Sequence, residues 1–178
     1  ASKFYAAEMG LVSRWMILGP FDNENGAGHS AVYPPEQQVD FTAKYTGKNG
    51  QSVSWFPGEG PAGSGMVDLT ALLSPTDWST AYAACYVTSP ESQTVQFRMG
   101  SNDTLKAWLN DELVWESTAS RGLTVDSDTV SVTLPRGTSR LLLKISNAGK
   151  SWGICFRITD AGGSTLKGLK FSLDPGGN

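Results

Sequence analysis

Apolar and polar residues alternate with a period of two along several stretches of the chain, which is the pattern of a half-buried β-strand. In VQFRM (95–99) the apolar residues fall on one face, and Gln96 and Arg98 fall on the other. Three further stretches alternate in the same way: VSVTL (130–134), RLLLKISN (140–147) and WGICFRIT (152–159). Each is predicted to be a strand with one side in a core.

Other stretches complete an all-β pattern. SRWMILGPF (13–21) is apolar on both sides, so we predict a central strand there. Shorter strand candidates are QVDFTAKY (38–45), QSVSWF (51–56), AYAACYV (81–87) and LKGLKFSL (166–173). No window predicts a long amphipathic helix, and VDLTALLSP (67–75) predicts a single helical turn capped by Asp68 or Thr70.

Segments rich in glycine and proline separate these runs, as turns between strands do. About nine strands at this spacing predict one antiparallel β-sandwich or jelly roll over residues 1–178. Its core is expected at about 12–173, and residues 174–178 are interpreted as the possible start of a linker.

The stretch GSNDTLKAWLNDELVW (100–115) predicts a hairpin, with Asn110 and Asp111 at the turn. We expect Leu105, Ala107, Leu109 and Val114 to share its core face. The opposite face would carry Lys106, Trp108, Leu113 and Trp115. That second face is either covered by another segment or open to a ligand.

This hairpin, followed by LPRGTSRLLLKISN (134–147), resembles the galactose-binding-like jelly roll. SRWMILGPFDNENGAGHSAVYPPE (13–36), GMVDLTALL (65–73) and AYAACYV also resemble the first half of such domains. The chain departs from the family pattern at Asn102 and Asp111, where Asp and Gly are common, and at Ser139, where Asn is common. Asn102 weakens the idea that an acidic pair at this turn performs chemistry.

The resemblance implies a non-catalytic carbohydrate-binding module that targets a larger secreted, bacterial enzyme to polysaccharide. The alternative is a structural domain that packs on a neighbouring catalytic domain without binding sugar. An enzyme is disfavoured because His29, in a loop, is the one histidine and no carboxylate lies in an apolar run.

Composition agrees with an extracellular protein. Charged residues make up 17% of the chain and hydrophobic residues 39%, and the net charge is -3 without a basic run. Nucleic acids and membranes are therefore not expected as partners. No signal peptide is visible, so we expect an excised, mature part of a secreted or cell-surface protein.

The two cysteines, Cys85 and Cys155, fit no zinc or redox spacing. Both fall in apolar, strand-like runs. Two buried free thiols are slightly favoured over one disulfide between neighbouring strands.

Aromatic residues give the strongest indication of a binding site, because sugar C–H faces stack on aromatic rings while polar neighbours bind hydroxyl groups. The chain contains six Trp and five Tyr. Trp15 and Trp152 lie in strong strands and are expected in the core. The predicted ligand-binding residues are Trp78, Trp55, Trp115, Asp77, Arg121 and Tyr33. Trp78, in the polar segment SPTDWST, is the ring most expected to be exposed.

A structural calcium ion is a further possibility raised by the resemblance. GPFDNENG (19–26) offers several oxygen ligands within one turn. In modules of this kind such an ion bridges an early loop and the end of a late strand. The candidate ligands are Asp22, Asn23 and Asp160, and the alternative is that they are solvated turn residues.

The segment GEGPAG (58–63) formally fits the GxGxxG motif of dinucleotide-binding proteins. Pro61 and the absence of a predicted βαβ unit exclude that interpretation. We interpret it as a loop at the rim of a binding face.

Overall fold

The computed structural model describes residues 9–61 and 64–177, and this part of the chain forms two stacked antiparallel sheets with short 3-10 turns. The strands are β1 (Arg14–Asp22), β2 (Lys44–Thr46), β3 (Ser52–Ser54), β4 (Phe56–Glu59), β5 (Val67–Asp68), β6 (Ser79–Ser89), β7 (Gln93–Asn102), β8 (Thr104–Leu109), β9 (Glu112–Ser117), β10 (Asp128–Leu134), β11 (Gly137–Asn147), β12 (Gly153–Thr159) and β13 (Lys170–Ser172). The 3-10 turns are Glu24–His29, Pro34–Glu36 and Lys48–Gly50.

The large sheet has the order β4-β1-β6-β11-β8-β9, and β13 pairs with β6 beyond the end of β1. The small sheet has the order β10-β7-β12-β5, and β2 and β3 form a separate ribbon. Neighbouring strands are antiparallel throughout. The predicted antiparallel β-sandwich is confirmed, and β1 has neighbours on both sides, as its apolar pattern predicts.

The main core lies between the two sheets and takes the alternate residues of their strands. Trp15 and Trp152 are both buried there, as predicted. The Trp15 ring lies edge-on to Phe156, with ring centroids 5.5 Å apart. Such a contact adds to the stabilisation that burial of the two rings provides.

A second apolar cluster covers the outer face of the large sheet. Leu18, Tyr82 and Leu142 of the central strands are fully or almost fully buried on that side. They pack against residues 23–55, which we call the covering segment, and among them Val53 and Trp55 are buried. The central strands therefore have protein on both faces.

A buried lysine holds the covering segment onto the sheet. Lys144 of β11 is assigned by its alternation to a polar face, but its side chain is wholly buried. Its Nζ donates to the Ala31 carbonyl (2.5 Å), the His29 carbonyl (3.1 Å) and Glu36 Oε2 (2.9 Å). Burial lowers the pKa of Lys144, and the adjacent Glu36 carboxylate opposes that shift.

His29 is a second anchor of the covering segment, and its role here is structural. The imidazole is buried, with Nδ1 2.9 Å from Thr104 Oγ1 and Nε2 2.8 Å from Glu116 Oε1. The hydrogen bond from His29, together with the charge of Lys106, lowers the pKa of Glu116.

A β-bulge in the β8–β9 hairpin changes the predicted facing of one tryptophan. Ala107 pairs with Trp115, and Trp108 pairs with Leu113, so Val114 is the extra residue between them. Trp115 consequently points toward the inner core with Ala107, whereas the sequence assigned it to the opposite face. The alternation rule fails here because a bulge shifts the facing by one residue.

Three shorter predictions are revised. QVDFTAKY contributes strand only at Lys44–Thr46, and LKGLKFSL only at Lys170–Ser172. VDLTALLSP begins with the short strand β5, and the predicted single turn follows it, with the Leu69 carbonyl accepting the Leu73 N–H (3.0 Å). Asp68 Oδ1 accepts the Thr70 N–H (3.0 Å), so this carboxylate closes the turn as a cap would.

Both cysteines are free and buried, and they lie in strands of different sheets. Burial raises the pKa of Cys85. Burial, with the charge of Asp126, raises the pKa of Cys155 to about 12. We expect neither thiol to react with DTNB in the native protein, and both to react in guanidinium chloride without reductant. Absence of a DTNB-reactive thiol after denaturation would instead indicate a disulfide between the two cysteines.

We expect Lys144→Met to lower the free energy of unfolding by about 3–5 kcal/mol, because Glu36 would keep a buried and unpaired charge. Urea denaturation at neutral pH measures the change. Lys44→Met is the control, since Lys44 is exposed on β2. Equal losses in the two variants would show that the buried ion pair does not anchor the covering segment.

Candidate functional site

Several strand ends meet at one end of the sandwich, which we call the loop end. β1 ends there at Asp22, next to Ser79 at the start of β6. β11 ends there at Asn147, and β12 begins there opposite Asn102. The loops that follow or precede these strands therefore lie together, although they are far apart in sequence.

Trp78 is the exposed tryptophan of this end. The described residues include four exposed large apolar side chains, Val32, Trp78, Leu113 and Phe171, and Trp78 is 43% exposed. Its backbone has φ 49°, a left-handed conformation that is unfavourable for a bulky residue. The surrounding structure must hold it there.

Backbone hydrogen bonds fix Trp78 on both sides of its Cα atom. Its N–H donates to the Ala148 carbonyl (2.8 Å). Its carbonyl accepts the N–H of Asn23 (2.8 Å) and also a hydrogen bond from the Lys48 ammonium group. The indole is thus presented to solvent on a fixed backbone, at little entropic cost to a ligand that stacks on it.

Lys48 lies in the covering segment, and its side chain binds the loop that carries Trp78. Its Nζ also donates to the Asp77 carbonyl (2.9 Å) and lies 3.4 Å from Asp22 Oδ1. The Lys48 side chain is only 12% exposed, so its charge is directed into the loop. Sequence reasoning missed Lys48, because only the folded chain brings residue 48 to residues 77 and 78.

Carboxylates lie beside the exposed ring. Asp77, the neighbour of Trp78 in the chain, is exposed. A methyl group at Gly149 would lie 3.4 Å from Asp77 Oδ1, so the glycine leaves room beside that carboxylate. Asp22 and Glu24 are also exposed, and Asp22 Oδ2 accepts the Glu24 N–H (3.2 Å). The loop end therefore combines an apolar ring with hydrogen-bond acceptors.

Two asparagine side chains join the backbone segments around Trp78. Asn147 Nδ2 donates to the Thr76 carbonyl (2.9 Å), and Asn23 Nδ2 donates to the Asn147 carbonyl (3.1 Å). Asn23 Oδ1 accepts the Gly28 N–H (2.9 Å). Both asparagines are buried, so their amides hold these backbone segments together and are not presented to solvent.

The structure does not place Trp55 and Trp115 in this site. Trp55 is 7% exposed and lies edge-on to Phe41, at 5.2 Å between ring centroids, beneath the covering segment. Trp115 faces the inner core because of the bulge.

Tyr33 lies at the border of the site. Its ring stacks on Phe21 (4.6 Å) and its hydroxyl donates to the Asp22 carbonyl (2.5 Å).

Arg121 is held in an internal ion pair. Its guanidinium forms a two-pronged contact with the buried Asp128, with 2.8 Å from Nη1 to Oδ1. It also donates to the Ser101 carbonyl (3.2 Å) and to Ser101 Oγ (2.9 Å). The hydrogen bonds that Arg121 donates to Asp128 raise the pKa of Arg121. Arg121 therefore braces the loop end from within, and it does not reach Trp78 as the predicted site requires.

The three predicted metal ligands are not brought together. Asp22 and Asn23 lie at the loop end, whereas Asp160 follows β12 at the opposite end of the sandwich. Asp160 Oδ1 instead accepts the N–H groups of Gly162 and Ser164, each at 2.9 Å. These residues do not fit one calcium site, and no group of three His, Cys, Asp or Glu in the described part of the chain could hold a metal ion.

Within residues 9–61 and 64–177, no helix has the length and apolar character that crossing a membrane requires.

No model of a known protein family matches the chain, and no curated protein matches it. Among solved structures it is similar to a PA14 sugar-binding domain from an RTX adhesin, at 12% identity and a TM-score of 0.49, over 92% of this chain and 100% of that chain. It is also similar to the Epithelial Adhesin 9 A domain from Candida glabrata in complex with Galb1-4GlcNAc, at 13% identity and a TM-score of 0.46, over 95% and 93%.

A family 35 carbohydrate binding module from an environmental isolate is similar at 13% identity and a TM-score of 0.41, over 53% of this chain and 72% of that chain. Of the glycosidases among the matched structures, the chain spans 11% to 15%. Similarity at this level does not assign a ligand, which must be argued from the site itself.

We expect Arg121→Ala to lower the free energy of unfolding by about 3–5 kcal/mol, because Asp128 would keep a buried charge without a partner. Chemical denaturation measures this, with the exposed Arg136→Ala as control. A fully stable Arg121→Ala protein would contradict the bracing role.

Proposed function

We propose that this domain binds carbohydrate without catalysis, through the exposed ring of Trp78 and the carboxylates beside it. The observation that carries the proposal is the fixed, left-handed backbone that holds a tryptophan out into solvent. Strained conformations of this kind persist where the neighbouring structure enforces them, and they concentrate at binding sites.

The chemistry of the loop end suits a sugar. A pyranose ring offers a face of C–H groups to an indole, and hydroxyl groups around its edge. The carboxylates of Asp77 and Asp22 accept hydrogen bonds from such hydroxyls, and these bonds are strengthened by the negative charge. An apolar platform with a few convergent polar groups is the usual composition of a small-ligand site.

The wider role that we propose is to hold a larger secreted enzyme on polysaccharide, with the sugar and the adjoining catalytic domain as partners. The resemblance to galactose-binding-like modules and the low content of charged residues support this role. An extracellular location belongs to the same proposal.

One observation favours the alternative, a surface that packs on a neighbouring domain. At the end of the sandwich opposite Trp78, a groove of about 390 Å³ runs between residues 10–14 and 165–173. Leu166, Leu169 and the exposed Phe171 line it. Apolar surface of this kind is typical of contact sites, and it leaves the Trp78 end open for sugar.

We expect Trp78→Ala to weaken binding to the glycan by about tenfold or more without unfolding the domain, since Trp78 is exposed and belongs to neither core cluster. Affinity gel electrophoresis on a panel of soluble plant and algal polysaccharides measures the change. Trp78→Phe should retain part of the affinity, because a smaller ring still stacks.

Phe171→Ala is the matched control, since it removes an exposed ring from the far end. Unchanged affinity in Trp78→Ala would remove that ring from the site. A reducing-sugar assay on each polysaccharide that binds should detect no product, and product formation would refute the non-catalytic role.

A further inference from the structure

A second hollow lies at the loop end, on the side of the small sheet. It has a volume of about 520 Å³ and is bounded by the edge strand β5, by residues 122–123 and by residues 151–153. This volume is within the range of ligand sites in proteins. Of the predicted rim loop at residues 58–63, Gly58 and Glu59 belong to β4, and Pro61 lines the hollow. Residues 62 and 63 lie outside the described residues.

The lining of the hollow is mixed in the way a sugar requires. Met66 and Leu123 supply apolar surface, the buried ring of Trp152 lies behind it, and Asn102 and Asp68 supply polar groups. The carboxamide of Asn102 forms no hydrogen bond with any described residue, so both its donor and its acceptor remain for a ligand. An apolar ligand would leave these groups unpaired, which is costly.

The charge of the lining selects among sugars. None of the described residues around the hollow is basic, and Asp68 is an exposed acid. An anionic sugar, such as a uronate or a sulfated residue, would meet a carboxylate and no cation. A neutral pyranose fits the lining.

One loop separates the hollow from Trp78. The Ala148 carbonyl holds the Trp78 N–H (2.8 Å) on one side of that loop, and Ser151 lines the hollow on the other. Three residues span at most about 11 Å. The backbone that holds Trp78 and the backbone that borders the hollow are therefore close enough for one oligosaccharide to span.

We propose that the hollow is a second subsite, which takes a neutral pyranose unit of the same glycan chain that stacks on Trp78. The proposal rests on the proposed function and deepens it, because two linked subsites select a polysaccharide chain over a single sugar. Simultaneous contacts on one chain raise affinity through effective concentration, so binding should strengthen steeply with chain length.

The test uses the ¹⁵N–¹H signals of the six indole groups, which report on Trp78 and Trp152 separately. The probes are the hexasaccharides of the cello, manno, laminari and β-1,4-galacto series, and the corresponding monosaccharides. We expect one hexasaccharide to shift the signals of both Trp78 and Trp152, and to bind at least about tenfold more tightly than its monosaccharide.

Gly122→Phe blocks the hollow. Gly122 lines it, is exposed, and has open space where a side chain would begin. This variant should lose the Trp152 shift and the dependence on chain length while keeping the Trp78 shift. Thr133→Phe, on an exposed position of β10, is the matched control. If Gly122→Phe does not fold, Ser151→Phe on the opposite wall replaces it.

The outcomes separate the two proposals. A shift of Trp78 alone, or an unchanged length dependence in a folded blocking variant, overturns the second subsite and leaves the proposed function standing. A shift of Trp152 that persists in Trp78→Ala and disappears in Gly122→Phe supports the hollow, even if Trp78 itself does not respond. No shift of Trp152 with any probe overturns the subsite.

Discussion

β6 and β11 pair along their full length, from Ser89 and Gly137 at one end to Ser79 and Asn147 at the other, and they bury both of their faces. One face packs on the small sheet and the other on the covering segment. Because burial of apolar surface is the main favourable term in folding, a central ladder with two apolar faces requires two covers. The covering segment buries Lys144 and Glu36 against each other, and each buried charge is stabilised by its partner.

This packing also builds the loop end. The covering segment starts at Asn23, whose N–H binds the Trp78 carbonyl, and it contains Lys48, whose ammonium group binds the same carbonyl. The residues that cover the outer face of the large sheet therefore also fix the backbone of the exposed ring. If the proposed function holds, stability and sugar binding are coupled through this segment, because loss of its anchors would also disturb the backbone of Trp78.

The sequence predicts those parts of the fold that depend on local alternation. β7, β11, β12 and the burial of Trp152 follow from periodicity, and the burial of Trp15 follows from the apolar run in which it lies. The facing of Trp115 does not, because the bulge at Val114 leaves no trace in the alternation.

Within the site, the exposure of Trp78 follows from its polar surroundings in the sequence. Lys48 and the partners of Arg121 depend on contacts between distant segments, which alternation does not encode. The burial of Trp55, a predicted ligand-binding residue, is not visible in the sequence for the same reason, since the ring that packs on it comes from Phe41.

The left-handed backbone at Trp78 has an evolutionary consequence. Glycine adopts φ 49° without steric penalty, so the fold alone would favour glycine at this position. Laboratory selection for heat resistance alone should therefore drift toward glycine there. Selection that also demands binding to the proposed glycan should keep the indole, and a comparison of two such lineages would measure the stability cost of the tryptophan at this position.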